Sequence, residues 1–238
     1  MSWSSSMPVS RASTDARAEY LKKVVGLTAA GVALAGATSV VSSVGIALMP
    51  GLLSGRWMPF IIIMGLFALS NYVAQPMVFG KAKVPGFLLG MVAQGLAMGF
   101  LMLTAFLVSG AAFGNPLVLI GLAMGLTFFA MLGMGAYTFV QARNFSMIGA
   151  GLSALSIPML ILMVASFAVP GLIGGTFGIV LSGVFVLISV GAVLYQLNEV
   201  IHKFSTDMHW EGAYTIAMGI LTLFWNILSL LIRLTSRR

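Results

Sequence analysis

The sequence predicts an all-α integral membrane protein, a bundle of seven transmembrane helices. Three observations carry that prediction. Of 238 residues, 60% are hydrophobic and only 7% charged, whereas soluble domains are about a quarter charged. No carboxylate occurs between Lys23 and Asn198. The apolar residues fall into seven runs of roughly 20 residues, the length at which a helix crosses about 30 Å of hydrocarbon. The 28 glycines lie inside these runs, where small residues let helices pack closely in lipid.

Residues 1–23 form a polar, serine-rich tail of mixed charge, expected to be flexible and helical only from about Asp15 as it meets the membrane. Residues 24–238 are read as one transmembrane domain. The first apolar run is too long for a signal-peptide core and is read as an uncleaved span, about Val24 to Ala47. Its Gly31, Ala35, Ser39 and Ser43 recur every fourth residue, so they share a face that admits a neighbouring helix. Met49-Pro50-Gly51 breaks the helix, and a second span, about Met58 to Ala74, ends at Gln75-Pro76. The third, about Gly86 to Val108, carries Gly95 and Gly99 in GxxxG spacing beside Gln94. The fourth, about Pro116 to Val140, repeats that spacing at Gly121 and Gly125, and these four glycines are the expected packing positions. After a polar break at Gln141–Asn144, the fifth runs from about Phe145 to Val169 with a kink expected at Pro158. The sixth is about Thr176 to Leu197, continuing past Glu199. A polar segment, Glu199 to Glu211, precedes a seventh span from about Gly212 to Ile232.

Orientation follows from lysine and arginine in short loops. A cytoplasmic N-terminus places eight basic residues on the inner side and one, Arg56, in the outer loops. An odd number of spans then leaves Arg233, Arg237 and Arg238 outside, against the same rule. The side of the C-terminus, and whether the last segment crosses or re-enters, therefore stay open at this level.

The formal charge of +7 does not signal nucleic acid, because the basic residues sit singly at the ends of apolar runs, as headgroup anchors do. Cysteine is absent, which removes disulfides, thiolate nucleophiles and thiolate metal sites. Enzyme chemistry is not expected. Both histidines, His202 and His209, lie after the sixth span, away from the membrane serines Ser153, Ser182 and Ser189 that a buried serine–histidine pair would need. No span contains an aspartate. Glu199, His202, His209 and Glu211 match no metal-ligand motif and read as a solvated loop. The 17 methionines are scattered and read as packing. No cofactor is expected, and the partner that composition implies is the lipid bilayer.

Several stretches together carry a resemblance. They are Gln94-Gly95-Leu96, AMGLTFFAMLGMGAYTF from Ala123 to Phe139, Ala142-Arg-Asn-Phe-Ser-Met-Ile-Gly149, Leu194-Tyr195, and Leu221-Thr-Leu-Phe224 through Arg233. In these the chain resembles the Bax inhibitor-1 family of seven-span proteins, in a divergent form of bacterial type, from about the first span to the end. The resemblance implies residence in a bacterial cytoplasmic (inner) membrane. It also implies an acidic set from which this sequence departs. Gln94 stands where relatives tend to carry glutamate before Gly-Leu, and Asn144 where they have aspartate before Phe-Ser. Gln196 and Gly219 stand at the aspartates of the last two spans. Relatives with those aspartates are thought to leak calcium or protons through a pH-sensitive closure, and neutral side chains cannot titrate. Two functions follow from the resemblance. One is a non-enzymatic accessory that binds other membrane proteins, as family members that partner a membrane protease or modulate cell death do. The other is a calcium or cation leak with Glu199, Asp207 or Glu211 at its cytoplasmic mouth.

Overall fold

The computed structural model describes residues 8–53, 57–140, 149 and 175–237. The described residues are helical apart from short connections and one isolated β-bridge between Pro8 and Ser205. Helix α1 spans Thr14–Leu48 and α2 spans Trp57–Ala68. A π-helical segment, Leu69–Ala74, joins α2 to α3, Gln75–Phe79. Helices α4 and α5 follow, at Lys83–Phe113 and Val118–Val140, then α6 at Gly175–His202 and α7 at His209–Thr235. Counting Trp57–Phe79 as one rod, six described helices are long and apolar enough to cross a membrane. The fifth predicted span, Phe145–Val169, lies outside the described residues apart from Gly149.

Local chemistry explains the boundaries. Ser13 caps α1, its hydroxyl accepting from the Ala16 amide, and Asp15 adds a negative charge to the first turn. The helix therefore starts at Thr14, ten residues before the predicted span. Upstream, the Val9 amide donates to the Phe204 carbonyl at 2.9 Å, and Val9 is fully buried. From residue 8 onward the predicted flexible tail is thus a docked, largely helical segment. The second rod also outruns its predicted end at Gln75-Pro76. Proline lacks the N–H of the regular ladder and its ring crowds the preceding turn. The π segment immediately upstream relieves that conflict, and the helix continues to Phe79. Helix α4 ends at Gly114, whose φ of 68° is left-handed backbone that favours glycine.

Helix α1 lies along α4, and the contact is built from small residues. Gly31, Ala35, Ser39 and Ser43 are all buried. A Cβ at Gly95 would meet Thr38 and the Ala35 carbonyl, and one at Gly99 would meet Ser42. Gly121 and Gly125 behave differently, since no described residue lies within 4 Å of a Cβ built there. Against the described helices they are not packing glycines, because they face away from the residues Leu119, Ile120, Ala123 and Met134 by which α5 enters the core.

Two apolar cores sit toward opposite ends of the bundle. One gathers Val9, Tyr20, Val24, Phe87, Met91, Phe204 and Tyr214, the other Met102, Leu119, Leu223, Leu228 and Ile232. Helices α6 and α7 run antiparallel over their whole length. Gly219 lies against Gln196, and the Arg237 guanidinium donates to Thr176 Oγ1 at 2.8 Å. The last helix therefore reaches the far end of α6 and does not double back.

Candidate functional site

Polar chemistry concentrates at the end of the bundle that holds the N-terminus, around the α6–α7 turn. Helix α6 ends at His202 and α7 begins at His209, so the connection is short. It is pinned from three directions: by Val9 on Phe204, by a T-shaped contact of Phe204 with Phe79, and by the β-bridge at Ser205. Asp207 is exposed on this turn.

Glu211 is where the structure departs most from the expectation of a solvated acid. It lies in the first turn of α7, is only 3% exposed, and pairs through Oε1 with Lys83 Nζ at 2.8 Å. From the first turn of α7 its carboxylate reaches the start of α4, where Lys83 meets it. Glu211 Oε2 and the nearby Tyr20 hydroxyl are buried without hydrogen-bond partners among the described residues. Gly212 makes room for that phenol, since a Cβ there would sit 2.5 Å from Tyr20 Oη. Three helices, α1, α4 and α7, are thus joined around one ion pair.

One turn further along α7, at Thr215, a cleft of about 390 Å³ opens between α3, α6 and α7. Gln75, Phe79, Tyr195, Gln196, Glu199 and Thr215 line it. Lys203 stands at its rim, with Nζ 3.0 Å from Glu199 Oε1, 3.2 Å from Tyr195 Oη and 5.3 Å from the tyrosine ring centre. The hydrogen bond to Glu199, then that to Tyr195, raises the Lys203 pKa above the ordinary lysine value.

The structure brings Gln196 and Gly219 into direct contact, the Gln196 amide oxygen occupying the space a side chain at 219 would need. That oxygen is buried with no hydrogen-bond partner among the described residues. Gln94 is buried in α4, and neither of its amide atoms is hydrogen bonded to a described residue. Asn144 lies outside the described residues. Gly149 is described, and a Cβ there would lie 2.5 Å from the Tyr195 ring, so two of the quoted motifs meet. His202 Nδ1 is 3.0 Å from the Asn198 carbonyl, and among the described residues no three His or acidic side chains gather as a metal site.

Sequence reasoning missed the pairing of Lys83 and the buried roles of Tyr20, Ser70 and Tyr214. The Tyr214 hydroxyl donates to the Ser70 carbonyl at 2.8 Å inside the π segment and lies 3.1 Å from Ser70 Oγ, while its ring rests on Gly90. The only available sequence signal was Pro76, which foretells disturbed backbone upstream without saying what repairs it.

A bundle of antiparallel apolar helices with its described acidic side chains gathered at one end and neutral amides within defines a polytopic membrane protein. From residue 17 onward the described bundle falls within the match to a family model, "Inhibitor of apoptosis-promoting Bax1", over residues 17–237. The chain belongs to that Bax inhibitor-1 family. It is 30% identical to protein lifeguard 4 of Mus musculus over 106 residues, 44% of this chain and 43% of that protein. It is 33% identical to the Golgi anti-apoptotic protein of vaccinia virus (strain Lister) over 114 residues, 46% of this chain and 45% of that protein. The matched stretches thus span less than half of these relatives. No solved structure matches the chain.

Proposed function

We propose that this protein is a non-enzymatic family member that acts by binding other membrane proteins, and that it does not conduct ions through a titrating pair. The observation that carries this reading is the contact of Gln196 with Gly219. At the juxtaposition where the family resemblance implies two aspartates, a neutral amide fills the space beside a bare backbone. Such a pair cannot switch with pH, while the scaffold around it is retained. The vaccinia relative is named anti-apoptotic, and an activity exerted on other proteins at a membrane suits a scaffold without its titrating pair.

The architecture of this reading is a seven-span bundle. Val140 and Gly175 stand at opposite ends of the bundle, so an odd number of crossings joins them, and Phe145–Val169 is apolar and long enough for one. Lys81, Lys83, Lys203 and the basic residues of α1 share one end, which supports a cytoplasmic N-terminus and an outer C-terminus. A bacterial inner membrane is the compartment this orientation fits.

Two measurements test the function. Purified protein in liposomes is expected to pass calcium, protons and monovalent cations no faster than empty liposomes at any pH from acid to neutral. Extraction in mild detergent is expected to retain a stoichiometric membrane-protein partner. A pH-dependent flux abolished by Glu199→Gln or Glu211→Gln would establish the leak reading instead.

A further inference from the structure

The cleft beside α6 has a chemistry that the partner-binding reading does not use. Its lining carries the Glu199 carboxylate and the Tyr195 hydroxyl, with the side-chain amides of Gln75 and Gln196 beside them. The Thr215 hydroxyl has its proton committed to the Glu211 carbonyl at 2.8 Å, which leaves its lone pairs. Tyr195 contributes an oxygen that already accepts a hydrogen bond and the negative face of its ring. The chain itself shows which donor fits. The Lys203 ammonium is held by Glu199, by the Tyr195 hydroxyl and over the Tyr195 ring, at the rim of the same cleft. Lys203 holds that place weakly, because its side chain is 58% exposed and an exposed pair contributes little. The volume of about 390 Å³ lies within the range of small-molecule sites.

We propose that this cleft binds a primary ammonium group, and that Lys203 is a tethered competitor for it. The ammonium is carried by a free small amine or by an ethanolamine lipid headgroup, the cleft lying within two helical turns of the α6–α7 turn. A quaternary ammonium has the same charge and no N–H. It satisfies the ring but gives no hydrogen bond to the Glu199 carboxylate or the Tyr195 oxygen, so the site discriminates between the two.

The test uses the full chain in maltoside detergent, titrated calorimetrically with ethanolamine and with choline at matched ionic strength. Ethanolamine is expected to bind, and choline about tenfold more weakly or worse, the loss of charge-assisted hydrogen bonds. Lys203→Met is expected to tighten ethanolamine binding about two- to fivefold by removing an exposed competitor. Glu199→Gln is expected to weaken it about tenfold. A parallel arm compares unfolding temperatures in nanodiscs of phosphatidylethanolamine and of phosphatidylcholine, with and without Lys203→Met. Binding of free ethanolamine identifies a soluble amine. A stabilisation by the ethanolamine lipid alone, enhanced by Lys203→Met, identifies the headgroup. Equal responses to ethanolamine and choline, or no response to Lys203→Met in either arm, overturn the proposal.

Discussion

Lys83→Ala is expected to destabilise the protein more than Glu211→Gln, although both break the same ion pair. Glu211 is 3% exposed and Lys83 35%, so the two partners differ in their access to water. Without Lys83, a buried carboxylate loses an ion-pair partner, and its other oxygen already lacks a hydrogen bond among the described residues. Orphaning one member of a fully buried pair costs about 3–5 kcal/mol, which the partial exposure of Lys83 discounts to about 2–3 kcal/mol. In Glu211→Gln the lysine turns to solvent and a neutral amide keeps the packing, at a cost of about 1 kcal/mol. The double variant removes the charge and its orphan together, so the two single losses should exceed the double loss by about 1–2 kcal/mol. The assay is reversible unfolding in mixed detergent micelles at neutral pH, run as a double-mutant cycle. Additivity within about 0.5 kcal/mol, or a larger loss for Glu211→Gln than for Lys83→Ala, refutes the reasoning.

Three further outcomes are expected. Gly99→Ala pushes a methyl group onto Ser42 Cβ at 2.5 Å and the Ser43 amide at 3.0 Å, and should cost about 1–3 kcal/mol of unfolding stability, whereas Gly121→Ala should change it by about 0.5 kcal/mol or less. Tyr214→Phe deletes the hydroxyl that serves the Ser70 carbonyl in the π segment, with an expected loss of about 1–3 kcal/mol and faster hydrogen exchange of the Gln75 amide. For Lys203 the folded pKa lies above the unfolded one, through Glu199 first and Tyr195 second. Its contribution is therefore complete below the unfolded lysine value of about 10.4 and fades as pH rises through the folded pKa. Tyrosine absorbance and loop hydrogen exchange should register that alkaline change in the wild type, and Lys203→Met should lack it.

The helical class, the apolar rods and the small-residue face of α1 were legible in the sequence, because composition and fourfold spacing are local properties of the chain. The family was legible too, in motifs that stretch from Gln94 to Arg233. The ends of the helices were less so. The sequence predicts helix only from about Asp15, and the polarity of that segment reads as a tail, whereas the Ser13 cap starts α1 at Thr14. The extension past Pro76 depends on a tyrosine 138 positions away in the chain, and no local pattern announces it. Likewise, Gly95–Gly99 and Gly121–Gly125 have identical spacing, and only the neighbours differ: α1 lies against the first pair and no described helix against the second.

By itself, then, the sequence determined that this chain lives in a bilayer as packed helices, that it carries no acid through its middle, and that its last two helices hold neutral residues at positions the resemblance marks as acidic. Tertiary structure decided which of its few charges meet. Glu211 and Lys83 are 128 positions apart, and Gln196 and Gly219 sit on different helices. Their contacts follow from the antiparallel register of α6 and α7 and the seat of α4 against α7. The physical reason is that charge and hydropathy are additive along a chain, whereas burial depends on which face of each helix its neighbours cover.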